Sequence, residues 1–169
     1  MNLPADKPFK EGLKLKETDF KKLLVQLMQE SFTGYLVLMV QGSEGIEEGI
    51  LVMKNGLATG CYHELMKLSN YIFYSDKAIA AFLNASALKK GIIDVFSLNL
   101  QQADLVLSFN EQIKLSTVMQ AEFRKKVDEL PLKEVSKAFI EEALAAMPEK
   151  EKVSKEELIK RFGFEGIQQ

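Results

Sequence analysis

The sequence predicts an α+β fold: an antiparallel β-meander of four or five strands flanked by helices, with a helical C-terminal appendage. Three observations lead there. Residues 34–40, 48–53 and 57–63 are apolar runs of strand length, joined by Gly42-Ser43-Glu44-Gly45 and by Lys54-Asn55-Gly56. Asn-Gly between two such runs asks for a type I′ turn, whose two central residues both have positive φ. Phe20, Leu23, Leu24, Leu27 and Met28 recur at the spacing of one helix face. Charge is also uneven, with 6 Lys/Arg and 8 Asp/Glu over residues 32–117 against 10 and 11 over the shorter stretch 118–169. This divides the chain into an α+β core, residues 1–117, and a charged helical region, residues 118–169.

The elements follow in order. Residues through Lys16 are expected to be extended, because Pro4 and Pro8 push the residue before each of them away from helix. Thr18 is expected to cap a helix over 18–31, with Asp19 in its first turn. The first two strands are apolar on both faces: Tyr35, Val37 and Met39 point one way, Leu36, Leu38 and Val40 the other. A sheet with one wet face would alternate polar and apolar residues. Both faces should therefore be covered, one by helices and the other by a partner subunit.

Residues 64–74 read as a short helix or an aromatic-rich loop. Ser75 is expected to cap a helix over 76–89, and Gly91–Ser97 reads as a β-branched fourth strand. Asn99 either caps a helix through Ala103, Val106 and Leu107, or Leu105–Phe109 forms a fifth strand. A run this short does not separate the two by periodicity. The tail reads as a helix to Leu130, another opened by Pro131 and stopped by Pro148, and a last short one begun by a Ser154/Glu157 capping box.

Composition narrows the class. The net charge of −2 gives no general attraction to nucleic acid or to an anionic membrane, and neither partner is expected. Cys61 is the single cysteine, so no internal disulfide forms. No run approaches the ~18 apolar residues of a membrane span, and the N-terminus lacks the apolar core of a signal peptide. A cytoplasmic protein is the expectation.

Candidate chemistry centres on Cys61, His63 and Glu64. A nucleophilic Cys–His pair needs a backing carboxylate, which the sequence does not place, and a metal site needs more ligands than one cysteine and one histidine. His63 is therefore expected at a strand-end rim, and its truncation should leave folding nearly unchanged. Gly42, Gly45, Gly49, Gly56 and Gly60 match neither a dinucleotide fingerprint nor a P-loop, so they are read as turn and bulge residues. Glu44, Glu47 and Glu48 read as a solvated acidic hairpin. Arg124-Lys125-Lys126 lies among Glu122, Asp128 and Glu129, which fits helix-face ion pairs. No catalytic residue, metal or cofactor is expected. The candidate partner contacts are Tyr71, Phe73, Tyr74, Leu158, Ile159 and Phe162.

The order helix, Thr33-Gly34-Tyr35-Leu36, acidic hairpin, Gly45–Val52, Lys54-Asn55-Gly56 and Ala58-Thr59-Gly60 resembles an archaeal family of uncharacterised proteins. That family also tends to carry the patterns seen here as Gly91-Ile92-Ile93-Asp94-Val95 and Phe109-Asn110. The same segments are more distantly similar to the PATAN-type domain of bacterial response regulators, with Gly60 standing where that domain usually has alanine. The resemblance spans about residues 10–115. It implies a non-catalytic signalling or adaptor module. A roadblock or longin-type platform also surrounds a meander with helices and is the competing fold. Two functions follow: a protein-interaction module, self-associating as a homodimer or binding another protein, or a small-ligand or enzymatic site near Cys61, His63 and Glu64.

Overall fold

The computed structural model of the chain describes residues 1–4, 8–42, 45–66, 72–130, 145 and 154–161. The meander forms as expected. Strands β2 (Gly34–Gln41), β3 (Ile46–Lys54) and β4 (Leu57–Leu65) pair antiparallel in succession. Asn55 and Gly56 take φ of 51° and 77°, the positive pair that a type I′ turn requires. The turn is also anchored from outside. Thr33 Oγ1 accepts from Asn55 N at 3.0 Å, and Phe32 O accepts from Gly56 N at 2.9 Å.

The sheet is larger than the meander. Its six strands run in the order β1-β6-β2-β3-β4-β5, all antiparallel. β1 (Lys10–Lys14) comes from the N-terminal segment expected to be extended, and pairs with β6 (Gly91–Ser97). β5 (Ile72–Tyr74) replaces part of the expected helix or loop at 64–74 and pairs with β4. Its residues alternate half-buried, buried and exposed, the two-residue period of a strand with one face inward. Residues 67–71 lie outside the described set.

Helix α1 (Phe20–Gln29) starts one residue later than the sequence suggested: Asp19, not Thr18, is the cap and accepts from Lys22 N at 2.9 Å. In α2 (Ser75–Ala85), Ser75 is the first helical residue with φ of 58°, not the cap, and its hydroxyl donates to the Lys114 carbonyl. The ambiguous segment after Asn99 is helix α3 (Leu100–Phe109). A reciprocal capping box decides it: Asn99 Oδ1 accepts from Gln102 N at 2.8 Å, and Gln102 Oε1 accepts from Asn99 N at 2.9 Å. Ser116 caps α4 (Thr117–Asp128), and the Asp76 carboxylate accepts from both its backbone N–H and its hydroxyl.

Two apolar cores lie on the two faces of the sheet. The larger packs Leu36, Leu38, Leu51, Met53, Ile93 and Val95 beneath α1, α2 and α4. The smaller gathers Tyr35, Ile50, Val52 and Tyr62 under α3 and the turn at Glu111–Ile113. The second face is thus partly covered by the chain itself. The described part of the charged region joins the larger core through Phe123 and Val127 of α4 and Leu158 of the last described helix, α5 (Lys155–Arg161). Ser154 Oγ accepts from Glu157 N at 3.1 Å, half of the expected capping box. The segments expected at Pro131 and Pro148 lie outside the described residues.

Candidate functional site

His63 is not at a rim. It sits in the helix-covered face with 1% of its surface exposed, and so does Glu47. Its Nε2 lies 3.2 Å from Glu47 Oε2, so one proton can be shared between the two groups. Strand geometry brings them together: Gly49 is directly opposite His63, and Glu47 lies on the same face two residues along β3. Gly49 also leaves the room. A Cβ there would meet Phe82 Cδ2 at 2.6 Å and His63 Nδ1 at 3.2 Å. Glu47 Oε1, His63 Nδ1 and Asn84 Nδ2 are buried without a hydrogen-bond partner among the described residues.

The carboxylate that backs His63 therefore exists, inside the segment read as a solvated hairpin. The missed signal was parity. Glu47 falls in step with Gly49, Leu51 and Met53, all on the helix-covered face, whereas Glu48 falls in step with Ile50 and Val52.

Cys61, His63 and Glu64 are not assembled into one site. Cys61 is fully buried, and burial pushes its thiol far above the ordinary range, which keeps it protonated and poorly nucleophilic. Glu64 faces the other side of the sheet, where it accepts a hydrogen bond from the Tyr62 hydroxyl. Burial, then that carboxylate, holds the Tyr62 phenol above its ordinary range. No group of three or more potential metal ligands occurs among the described residues.

The candidate partner contacts separate likewise. Phe73 and Leu158 are buried within the chain, at 4% and 0% exposure, and offer no surface to a partner in this conformation. Ile159 is half-buried against the larger core, and Tyr74 is exposed beside Tyr62. Tyr71 and Phe162 lie outside the described residues.

A different surface stands open. The smaller core fills only one end of its face. At the other end, around the β2–β3 tip, Met39, Ile46 and Ile92 are 36%, 49% and 40% exposed. They border a shallow hollow of ≈ 530 Å³ with Lys90 at its edge. One row of directly paired residues crosses all six strands here: Lys14, Ile92, Met39, Glu48, Glu64 and Ile72. The row is basic at one end, apolar in the middle and acidic toward the other end. Glu48 and Glu64 are directly opposite one another, a like-charge pairing that destabilises a ladder. No cation lies within ion-pair distance of either among the described residues. A second hollow, of ≈ 320 Å³, lies between the start of α1 and the residues after α2, beside Thr18, Lys21 and Leu130.

These strands, with α1, α2 and α3, lie within the part of the chain that matches a family model. Residues 1–110 match the model of a family described as uncharacterized proteins conserved in archaea (DUF2226), and the chain belongs to that family. No curated protein and no solved structure matches the chain. No helix among the described residues is long and apolar enough to cross a membrane.

Proposed function

We propose that this chain is a non-enzymatic protein-interaction or adaptor module, working in the cytoplasm in a signalling or regulatory role. The observation that supports it is the open apolar end of the sheet. Leu38, Glu47 and Ile93 are fully buried on one face, while their sequence neighbours Met39, Ile46 and Ile92 stand exposed on the other. Grouped exposed apolar residues on an otherwise well-packed domain are characteristic of association surfaces. The resemblance of Thr33-Gly34-Tyr35-Leu36 and Gly49–Gly60 to the PATAN-type domain points the same way. The ligand or enzyme reading would require a ligand to enter between the sheet and α2 to reach His63, with Glu64 on the far face.

The test places a photo-crosslinking side chain at Ile46 and, as control, at Lys22, which is exposed on α1. In native cell extract, the Ile46 position should give protein adducts in clear excess over the control. Equal yields from the two positions would overturn the module reading.

A further inference from the structure

We propose that the residues holding the N-terminal segment form a binding site for an extended peptide. Residues 1–4 are its resident occupant, a strap exchangeable for a partner segment with an aliphatic side chain at its centre. The site is separate from the open sheet end and does not depend on what Ile46 meets. Asn110, 2% exposed at the C-terminal end of α3, sets its carboxamide against one residue of the strap. Asn2 N donates to Asn110 Oδ1 at 3.1 Å, and Asn110 Nδ2 donates to Asn2 O at 3.0 Å. The N–H and C=O of one residue face the same partner where the backbone is extended, as in a strand ladder. Two residues on, Pro4 O accepts from the Tyr35 hydroxyl at 2.7 Å. Between these anchors Leu3 packs half-buried against the smaller core, while Asn2 itself is exposed.

These contacts read main-chain atoms and one apolar side chain, the division by which extended peptides are recognised: the backbone gives affinity and a side-chain pocket gives selectivity. Asn110 is held ready for this pairing by its own helix. Its Nδ2 also donates to Val106 O at 2.8 Å, which fixes the carboxamide and turns Oδ1 and the second amide hydrogen toward the strap. When the strap leaves, those two groups lose their partners, and a polar pair emptied in this way favours refilling. Contacts as few as these open locally without unfolding the sheet. The open state then accounts for roughly 0.1–10% of the molecules. A competing segment finds the site free only in that fraction and binds correspondingly more weakly. The strap is thus a brake on the site beneath it.

Fluorescence anisotropy on the full-length chain tests this, with a synthetic peptide of the sequence of residues 1–6 carrying a dye at its C-terminal end. Two variants loosen the strap and leave the site whole. Asn2→Pro removes the N–H that Asn110 accepts, and Leu3→Asp removes the apolar contact. Each should bind the peptide at least about tenfold more tightly than the wild type does. In the Leu3→Asp background, Asn110→Ala and Tyr35→Phe should each weaken binding at least about threefold. Far-UV circular dichroism checks every variant; if Asn110→Ala unfolds, Tyr35→Phe decides, because it deletes only a hydroxyl. Within the peptide, Asn2→Pro should abolish binding and Asn2→Ala should leave it unchanged, since the site meets that residue through its main chain. No binding to either loosened variant overturns the proposal. Equal affinity for the wild type and both variants overturns it too, because the peptide then binds elsewhere, as does binding indifferent to Tyr35→Phe and to Asn2→Pro in the peptide. Equal crosslinking from Ile46 and Lys22 would sink the module reading and leave this site standing.

Discussion

The two faces of the sheet are built from alternate residues of the same strands and meet opposite fates. The face beneath α1, α2 and α4 is sealed: Leu36, Leu38, Leu51, Met53, Ile93 and Val95 have no exposed surface. What polar groups it holds are drawn inward, as with Glu47 against His63. The face beneath α3 is sealed only around Tyr35, Ile50, Val52 and Tyr62, and carries Glu48 and Glu64 side by side toward its open end. A buried carboxylate must have a partner. Two half-exposed ones can oppose each other because water screens them. The difference shows that burial sets which polar arrangements the sheet tolerates.

The turn that both faces share should give the largest effect. Gly56→Val forces a β-branched residue to φ of 77° and drives its Cβ to 2.4 Å from the Met28 carbonyl. A loss of about 3 kcal/mol or more is expected in urea melts; a wild-type midpoint would refute the type I′ assignment. Next comes the contrast itself. Phe82→Ala, in the sealed core, should cost about 3–5 kcal/mol through the cavity it leaves. Met39→Ala, at the open end, should cost within about 0.5 kcal/mol in the dilute monomer. Similar losses at both positions would erase the distinction between the faces.

The buried pair gives an intermediate effect. His63→Ala leaves Glu47 enclosed without its partner and should cost about 1–3 kcal/mol. This reverses the near-neutral outcome expected of a rim histidine, and chemical denaturation decides between them. Smallest is a rate. Cys61 should react with a thiol reagent at least about a hundredfold more slowly in the native chain than in urea, because it must open before it ionises. Rapid native labelling would mean that the sealed face breathes.

The central elements were legible because their signals are local. Asn55-Gly56 fixes its own turn, and the stripe from Phe20 to Met28 marks its own helix. β1 and β5 were missed as strands because each is defined by the neighbour it pairs with: Lys10–Lys14 against β6, and Ile72–Tyr74 against β4. His63 and Glu47 are sixteen positions apart, and only the β3–β4 register joins them. The open sheet end was hidden in the opposite sense. Tyr35, Val37 and Met39 form one uniform apolar series, yet α3 and the N-terminal segment cover its start and leave Met39 exposed. Where a helix stops along a strand is a tertiary fact that strand periodicity does not carry.

The vacancy at Gly49 has a consequence for the placement of α2. The Phe82 ring occupies the space where a side chain at position 49 would stand, and His63 bounds it on one side. The helix is thus keyed to the sheet by a socket under its own span, in addition to the hydrogen bonds that Ser75 and Asp76 make in its first turn. Inserting residues between Met66 and Ile72 should therefore leave α2 docked where it is, because Phe82 keeps its seat over Gly49.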